Sequence, residues 1–212
     1  MWYWGRKINK PAKALKAEPP KKVRIIGGVW RSRLLTVVDL PSLRPTTDRI
    51  RETVFNWLGQ DLTGLHCLDL FAGTGALGFE AASRGADLVL LLEKDKKAHA
   101  SLLRNFSLLQ SSPVTGRVEI LHKDSLEYLK QQADRSSNLI FIDPPFQDAG
   151  LLDRAVSEAG RICDDSSGGG IYVEFPSDRT LGEIEALLPD WHCGKYLEAG
   201  QVKACLFRGG RG

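Results

Sequence analysis

Leu65-His-Cys-Leu-Asp69-Leu-Phe-Ala-Gly73-Thr-Gly75-Ala-Leu-Gly78 is a short apolar run that meets an acid and then passes through three spaced glycines into a helix-forming segment. Glycine belongs where a turn is tight and a bulky ligand must reach van der Waals distance of the backbone. The stretch therefore reads as the first strand of an α/β unit with a ligand-binding turn. Outward from it, strand-like runs at 65–71, 87–92, 117–121, 138–142 and 170–175 alternate with helical periodicity near 76–84, 95–109, 124–132, 150–162 and 180–188. That alternation predicts an α/β fold with a mainly parallel sheet covered on both faces. Trp191–Leu197 and Val202–Phe207 flank a turn containing Gly200 and predict a C-terminal antiparallel hairpin. Ser166-Ser-Gly-Gly-Gly170 reads as a loop.

The 212 residues, 42% apolar and 26% charged, suit one soluble domain with an appendage rather than two domains or a disordered chain. The net charge of +3 hides an asymmetry. Residues 1–50 carry twelve Lys/Arg against three Asp/Glu, leaving seventeen against twenty-three in the remainder. A basic front on an acidic body points to a polyanionic partner. Residues 1–22, with Pro11, Pro19, Pro20 and six lysines after residue 5, read as a flexible basic tail. Residues 23–40 hold two apolar runs about Gly27-Gly28 and predict a small β-hairpin extension, with Arg24, Arg31 and Arg33 along it. The main domain spans 41–212. It opens with a helix capped by a threonine of Pro45-Thr46-Thr47-Asp48, striped by Ile50, Val54, Trp57 and Leu58 and stopped by Gly59.

Cys67, Cys163, Cys193 and Cys205 form no CxxC pair and lack histidines at ligand spacing, so no metal site is expected and the thiols read as reduced and structural. Met1–Ile8 is too polar for a secretory signal, and no stretch approaches the roughly 20 apolar residues of a membrane span. A cytoplasmic protein is expected, although Arg6–Lys16, basic and free of acids, also fits the start of an organellar transit peptide.

The glycine turn admits two cofactors. Residues 73–78 satisfy GxGxxG, and Glu93 follows Gly73 by 20 residues, which is the dinucleotide fingerprint of a nicotinamide-dependent oxidoreductase. S-adenosylmethionine fits the same turn, its ribose on Glu93 and its ammonium near Asp69, an acid poorly placed beside a pyrophosphate. Asp124 either accepts from an adenine amine or caps the following helix.

Asn138-Leu-Ile-Phe-Ile-Asp143-Pro144-Pro145-Phe146 supplies the acceptor chemistry. Two prolines fix their own φ and hold the preceding residue extended, so the Asp143 carboxylate and the Pro144 carbonyl form a rigid, acceptor-rich corner beside the Phe146 ring. Such a corner suits an exocyclic amine on a planar base: both N–H groups are accepted, the lone pair is aimed, and the ring is stacked. Guanine N2 and adenine N6 both meet that description.

Arg24-Ile-Ile-Gly-Gly28, Leu43-Arg-Pro-Thr-Thr-Asp-Arg-Ile-Arg-Glu-Thr-Val-Phe-Asn-Trp-Leu58, Asp69–Gly78 and Asp143-Pro-Pro-Phe146 occur in the same order as in the bacterial 16S ribosomal RNA guanine-N2 methyltransferases of the guanine-966 type. The chain resembles that family over roughly residues 23–207; the tail before Lys21 is outside the pattern. The resemblance implies a Rossmann-like class I methyltransferase fold, S-adenosylmethionine as donor, and 16S rRNA as partner, within a small subunit or an assembly intermediate, for a monomeric enzyme. It implies that Asp69, Phe71, Gly73, Gly75, Glu93 and Asp124 line the cofactor, with their neighbours Ala72, Thr74, Lys94 and Ser125. Asp143, Pro144 and Phe146, with Pro145 between them, would hold the guanine amine. The basic front then gains a use: Lys21, Lys22, Arg24, Arg31, Arg33 and Arg44 would meet RNA phosphates.

Overall fold

The computed structural model describes residues 22–38, 48–146 and 148–209. Its main sheet has seven strands: β3 (His66–Asp69), β4 (Leu88–Leu92), β5 (Arg117–Leu121), β6 (Leu139–Ile142), β7 (Gly170–Pro176), β8 (Trp191–Ala199) and β9 (Val202–Gly209). The two N-terminal strands, β1 (Lys22–Arg24) and β2 (Leu34–Thr36), pair antiparallel as a separate hairpin. In the main sheet the order is β5-β4-β3-β6-β7-β9-β8. The first five strands in that order run parallel, and β9 joins β7 antiparallel. The fold is Rossmann-like α/β with a C-terminal antiparallel hairpin, as the alternation of runs predicts. From β3 the chain winds outward through β4 to β5, then returns to the other side of β3 to form β6. The strand order thus reverses between β3 and β6, and ligand crevices of open α/β sheets lie outside the carboxyl ends of strands at such a point.

Helices α1 (Asp48–Leu58), α2 (Ala76–Ser83) and α3 (Lys96–Leu109) cover one face of the sheet. Helices α4 (Ser125–Leu129), α5 (Ala149–Ile162) and α6 (Leu181–Glu185) cover the other. Period-two alternation feeds both cores: Cys67, Val89, Leu91, Leu139 and Phe141 point to the first, and Leu68, Leu90, Leu92, Ile140 and Ile142 to the second. Among the described residues no helix is long and apolar enough to cross a membrane.

Three local expectations change. The buried stripe of α1 is Ile50, Arg51, Val54 and Phe55, with Trp57 and Leu58 only half-buried. It is rotated toward the hairpin, whose Arg24 carbonyl accepts from the buried Arg51 guanidinium at 2.6 Å. The threonine cap expected for this helix lies outside the described residues. Ser166 and Ser167, read as loop, join Asp165 in a single 3-10 turn capped by Asp164, while Gly170 begins β7 as the strand-like run at 170–175 predicts. Cys193 and Cys205 are joined by a disulfide across β8 and β9, Cα atoms 6.1 Å apart, contrary to the expectation of four reduced thiols. The register makes them diagonal neighbours, Cys193 opposite Phe207 and Cys205 opposite Tyr196, a proximity that linear spacing does not reveal. Cys67 and Cys163 are buried free thiols.

The N-terminal hairpin is built into the first core. Trp30 is buried, meets Phe79 and Phe106 edge-on at centroid distances of 6.1 and 6.5 Å, and donates Nε1–H to the Ser112 carbonyl. Glu80, fully buried in α2, accepts from the Ile26 and Gly27 amides at 2.7 Å each. Its charge is met by Arg84, one helical turn on at 2.7 Å, whose guanidinium lies 4.9 Å from the Phe55 ring centroid. Ser83 completes the clamp, accepting from the Trp30 amide and donating to the Gly27 carbonyl.

Removing one partner of a buried ion pair strands the other charge, at a cost of about 3–5 kcal/mol. Glu80→Ala is therefore expected to lower the unfolding free energy by that order in urea titrations, while the exposed Glu52→Ala changes it by less than about 0.5 kcal/mol. Equal midpoints for the two variants would refute the clamp.

Candidate active site

The acids singled out in the sequence sit at the carboxyl ends of the parallel strands. Asp69 closes β3, Glu93 follows β4, Asp124 follows β5 and Asp143 follows β6. The switch point falls between Asp69 and Asp143, and the two carboxyls are close enough for the Asp143 charge to act on Asp69.

Asp69 is almost wholly buried, and its Oδ2 accepts from the Gly78 amide at 3.0 Å in the first turn of α2. Burial pushes its carboxyl up to about 7; the Gly78 and Phe71 amides oppose that rise, while Asp143 and Glu93 add to it. The approach is tight: a Cβ on Gly78 would stand 2.7 Å from Leu91 Cδ2 and 3.1 Å from Asp69 Oδ2. This arrangement separates the two cofactor readings. A dinucleotide pyrophosphate seeks the positive end of the helix after the glycine turn. Here the Gly78 amide at that end is already taken by the Asp69 carboxyl. Residues 69–78 supply no cation to offset a phosphate, whereas an ammonium group is suited to the same acidic surroundings.

The remaining cofactor candidates divide by what already holds them. Glu93 Oε2 accepts from the Gly73 amide at 3.0 Å and Oε1 from the Asp95 amide at 2.7 Å, so it braces the turn while keeping acceptor capacity. Ala72, Gly73, Thr74 and Gly75 are buried and Phe71 half-buried. Asp124 caps α4 through Oδ1, accepting from the Leu126 and Glu127 amides, and its Oδ2 faces the Lys94 ammonium at 3.8 Å. Ser125 is buried and bonded to the Leu70 carbonyl, tying α4 to the end of β3.

After β6, Pro144 is buried and Asp143, Pro145 and Phe146 are half-buried. Pro144, Pro145 and Phe146 line a small open cleft together with Asp148, Leu152, Pro176, Asp178 and Arg179. Consecutive prolines restrict the backbone here and make this segment stiff. On the hairpin, Lys22, Arg24, Arg31 and Arg33 are exposed. Arg24 pairs with Asp48 at 3.5 Å, and Arg33 donates to the hydroxyls of Ser111 and Ser112. Lys21 and Arg44 lie outside the described residues.

A family model described as "Conserved hypothetical protein 95" matches residues 23–208. The ribosomal RNA small subunit methyltransferase D of Escherichia coli K12 is 38% identical over 190 residues, spanning 88% of this chain and 90% of that protein. Its namesake from Haemophilus influenzae is 41% identical over 191 residues, spanning 88% and 94%. A solved structure, a putative methyltransferase yhhF from E. coli, superposes with a TM-score of 0.75 at 36% identity and covers 89% of this chain and 98% of its own. The chain belongs to the ribosomal RNA small subunit methyltransferase D family. It is a methyltransferase, and the site must accommodate a methyl donor.

Several side chains of this methyltransferase site carried no sequence signal. Asn105 of α3, read only as part of a helix, is buried against the glycine turn and donates to the Thr74 carbonyl. His99 and His122 stack with ring centroids 4.9 Å apart beyond Glu93, and burial, then His122, lowers the His99 pKa. Tyr172 and Glu174, both buried on β7, are bonded at 2.8 Å, and register sets Tyr172 beside Phe141, two residues before Asp143. Apart from the Tyr172–Glu174 bond within β7, these depend on contacts between elements distant in sequence.

Because the Asp69 carboxyl is raised from 3.8 to about 7, the folded protein holds a proton that the unfolded chain has released between roughly pH 4 and 7. That contribution to stability is full below pH 4 and is lost as pH rises through 7. Asp69→Asn does not titrate. Its stability relative to wild type is expected to climb between pH 4 and 7 and to level off above; parallel stability curves throughout would refute the shift.

Proposed function

We propose that this enzyme transfers a methyl group from S-adenosylmethionine to the exocyclic N2 amine of a guanine in small-subunit ribosomal RNA, acting as a monomer. The observation that carries the reading is the meeting, at the switch point, of Asp143, which heads the Asp143-Pro144-Pro145-Phe146 corner, with Asp69, the buried carboxyl bonded to the first turn of α2. When bound, S-adenosylmethionine supplies an electrophilic sulfonium methyl. Asp69 would attract its ammonium, Glu93 would accept from its ribose hydroxyls, and the Gly73–Gly75 backbone gives it room. The names of the curated relatives support ribosomal RNA as substrate.

At the acceptor, the guanine amine has its lone pair delocalised into the ring and needs orienting more than acid–base help. Asp143 and the Pro144 carbonyl would accept its two N–H bonds, aim the lone pair at the methyl and offset positive charge growing on nitrogen. Phe146 would stack on the base, a contact worth about 1–3 kcal/mol. As the N–C bond forms and the S–C bond breaks, the proton shed by nitrogen passes to Asp143 or to water. A guanine amine engaged in pairing cannot enter such a corner, so the target base is unpaired or flipped.

Asp143→Ala is expected to cut the rate of methylation of unmodified small-subunit rRNA by at least about 100-fold, with S-adenosylhomocysteine affinity within a few-fold of wild type. The product by nucleoside mass spectrometry is expected to be N2-methylguanosine. N6-methyladenosine as the sole product would overturn the base assignment, and calorimetry showing NADH but not S-adenosylhomocysteine binding would overturn the donor. A phosphate contact predicts a second result. Replacing Arg31, exposed on the hairpin, by Ala should weaken RNA binding and flatten the log–log salt dependence by about 0.7; an unchanged slope argues against hairpin contact through that residue.

A further inference from the structure

The hairpin and the glycine turn meet in one side chain. Asn105 is 2% exposed, and its amide lies along β2 as a neighbouring peptide would: Oδ1 accepts from the Thr36 amide at 2.9 Å and Nδ2 donates to the Thr36 carbonyl at 3.1 Å. Nδ2 also donates to the Thr74 carbonyl at 3.2 Å, within the turn between β3 and α2. Three of the four hydrogen-bonding positions of the amide are thus engaged in a buried place. An apolar residue there would fill the same core without the desolvation cost of an amide. The amide instead specifies where both segments sit.

The Thr74 carbonyl belongs to a rigid peptide plane whose other end is the Gly75 amide. Gly75 has φ +83°, and its amide donates to the Ala72 carbonyl at 2.6 Å. Holding the carbonyl therefore sets the direction of the turn just before α2 begins. The hairpin is fixed to the same helix from its other end, through Glu80 and Ser83. Movement of β2 against α3 therefore loads the turn by two routes, directly through Asn105 and indirectly along α2.

We propose that Asn105 is a positioning residue that couples the hairpin to the glycine turn, so that RNA held on the hairpin and an adenosyl ligand at the turn strengthen each other's binding. This rests on the functional reading above. The physical basis is shared ordering: the ligand that first stills the Thr36–Asn105–Thr74 link relieves the second of that cost, and the gain is the same in either order.

The test is a binding cycle. The dissociation constant of S-adenosylhomocysteine is measured by calorimetry with and without an unmodified small-subunit rRNA transcript, and that of the transcript with and without S-adenosylhomocysteine. In wild type both are expected to tighten by the same factor, about 5-fold or more. In Asn105→Asp, which keeps the acceptor for the Thr36 amide but lacks the donors to Thr36 and Thr74, the factor is expected to fall below about 2, as in Asn105→Ala. A purely structural role would lower melting temperature and leave the factor intact. A wild-type factor of one, or an undiminished factor in both variants, overturns the coupling alone; failure of wild type to bind S-adenosylhomocysteine overturns the functional reading with it. Should neither variant fold, hydrogen exchange on wild type decides: transcript binding is expected to slow exchange at Gly73–Gly75, and unchanged exchange there overturns the proposal.

Discussion

A carboxylate buried against the first turn of a helix sets the terms for the rest of this molecule. Asp69 ends the central strand β3, and its bond to the Gly78 amide fixes how α2 leaves the sheet. The approach is possible because residue 78 has no Cβ; one would crowd Leu91 and the carboxylate itself. The same bond takes up one of the amides that a glycine turn ordinarily offers an anion, and on the proposed reading the acidic surroundings suit the ammonium of the donor. Glu93 and Asp143 lie close enough to join burial in raising the Asp69 carboxyl, so the crevice gathers acidic groups where the strand order reverses between β3 and β6.

That acidity bears on the charge asymmetry of the chain. Phosphates approaching the crevice would be repelled, whereas a neutral base would not. On the proposed reading, a polyanion is better gripped away from the crevice, on a surface rigidly related to it. The hairpin meets that requirement. Its outward side carries Lys22, Arg24, Arg31 and Arg33, and its inward side is fastened by Trp30 in the core and by Glu80, Ser83 and Asn105. The buried Glu80–Arg84 pair is costly to desolvate, and its two backbone acceptor bonds give that cost a purpose: they hold a short two-stranded ribbon that could not stand alone in water.

What the sequence made legible was governed by local periodicity. Leu88–Leu92 and Leu139–Ile142 are continuous apolar runs because both faces of a parallel sheet are covered, and each appears where the alternation puts it. The crevice was legible for the same reason: Asp69, Glu93, Asp124 and Asp143 each follow a strand, and strand ends gather in this topology. Asp124 shows how far such reasoning reaches, since a residue at that place is as well explained by capping, and here its Oδ1 does cap α4. Illegible features required register or docking. The Cys193–Cys205 bond depends on how β8 and β9 slide past one another, and the rotated stripe of α1 depends on a hairpin whose docking no periodicity encodes.

Asn105 belongs to that second group, and its case shows why site supports are harder to read than site walls. A wall residue such as Asp143 announces itself through an unusual neighbourhood, two prolines and an aromatic, because its chemistry needs a stiff backbone. A support needs only one polar atom aimed correctly, and an asparagine in a helix looks like any solvent-facing residue until its surroundings are known. Burial supplies the missing signal. An amide with three bonds in a dry place is kept against the cost of desolvation, and that cost is repaid only if the backbone it holds must be held. Here that backbone is β2 on one side and the glycine turn on the other, the two segments between which a methyltransferase gripping a polymer would have to keep register.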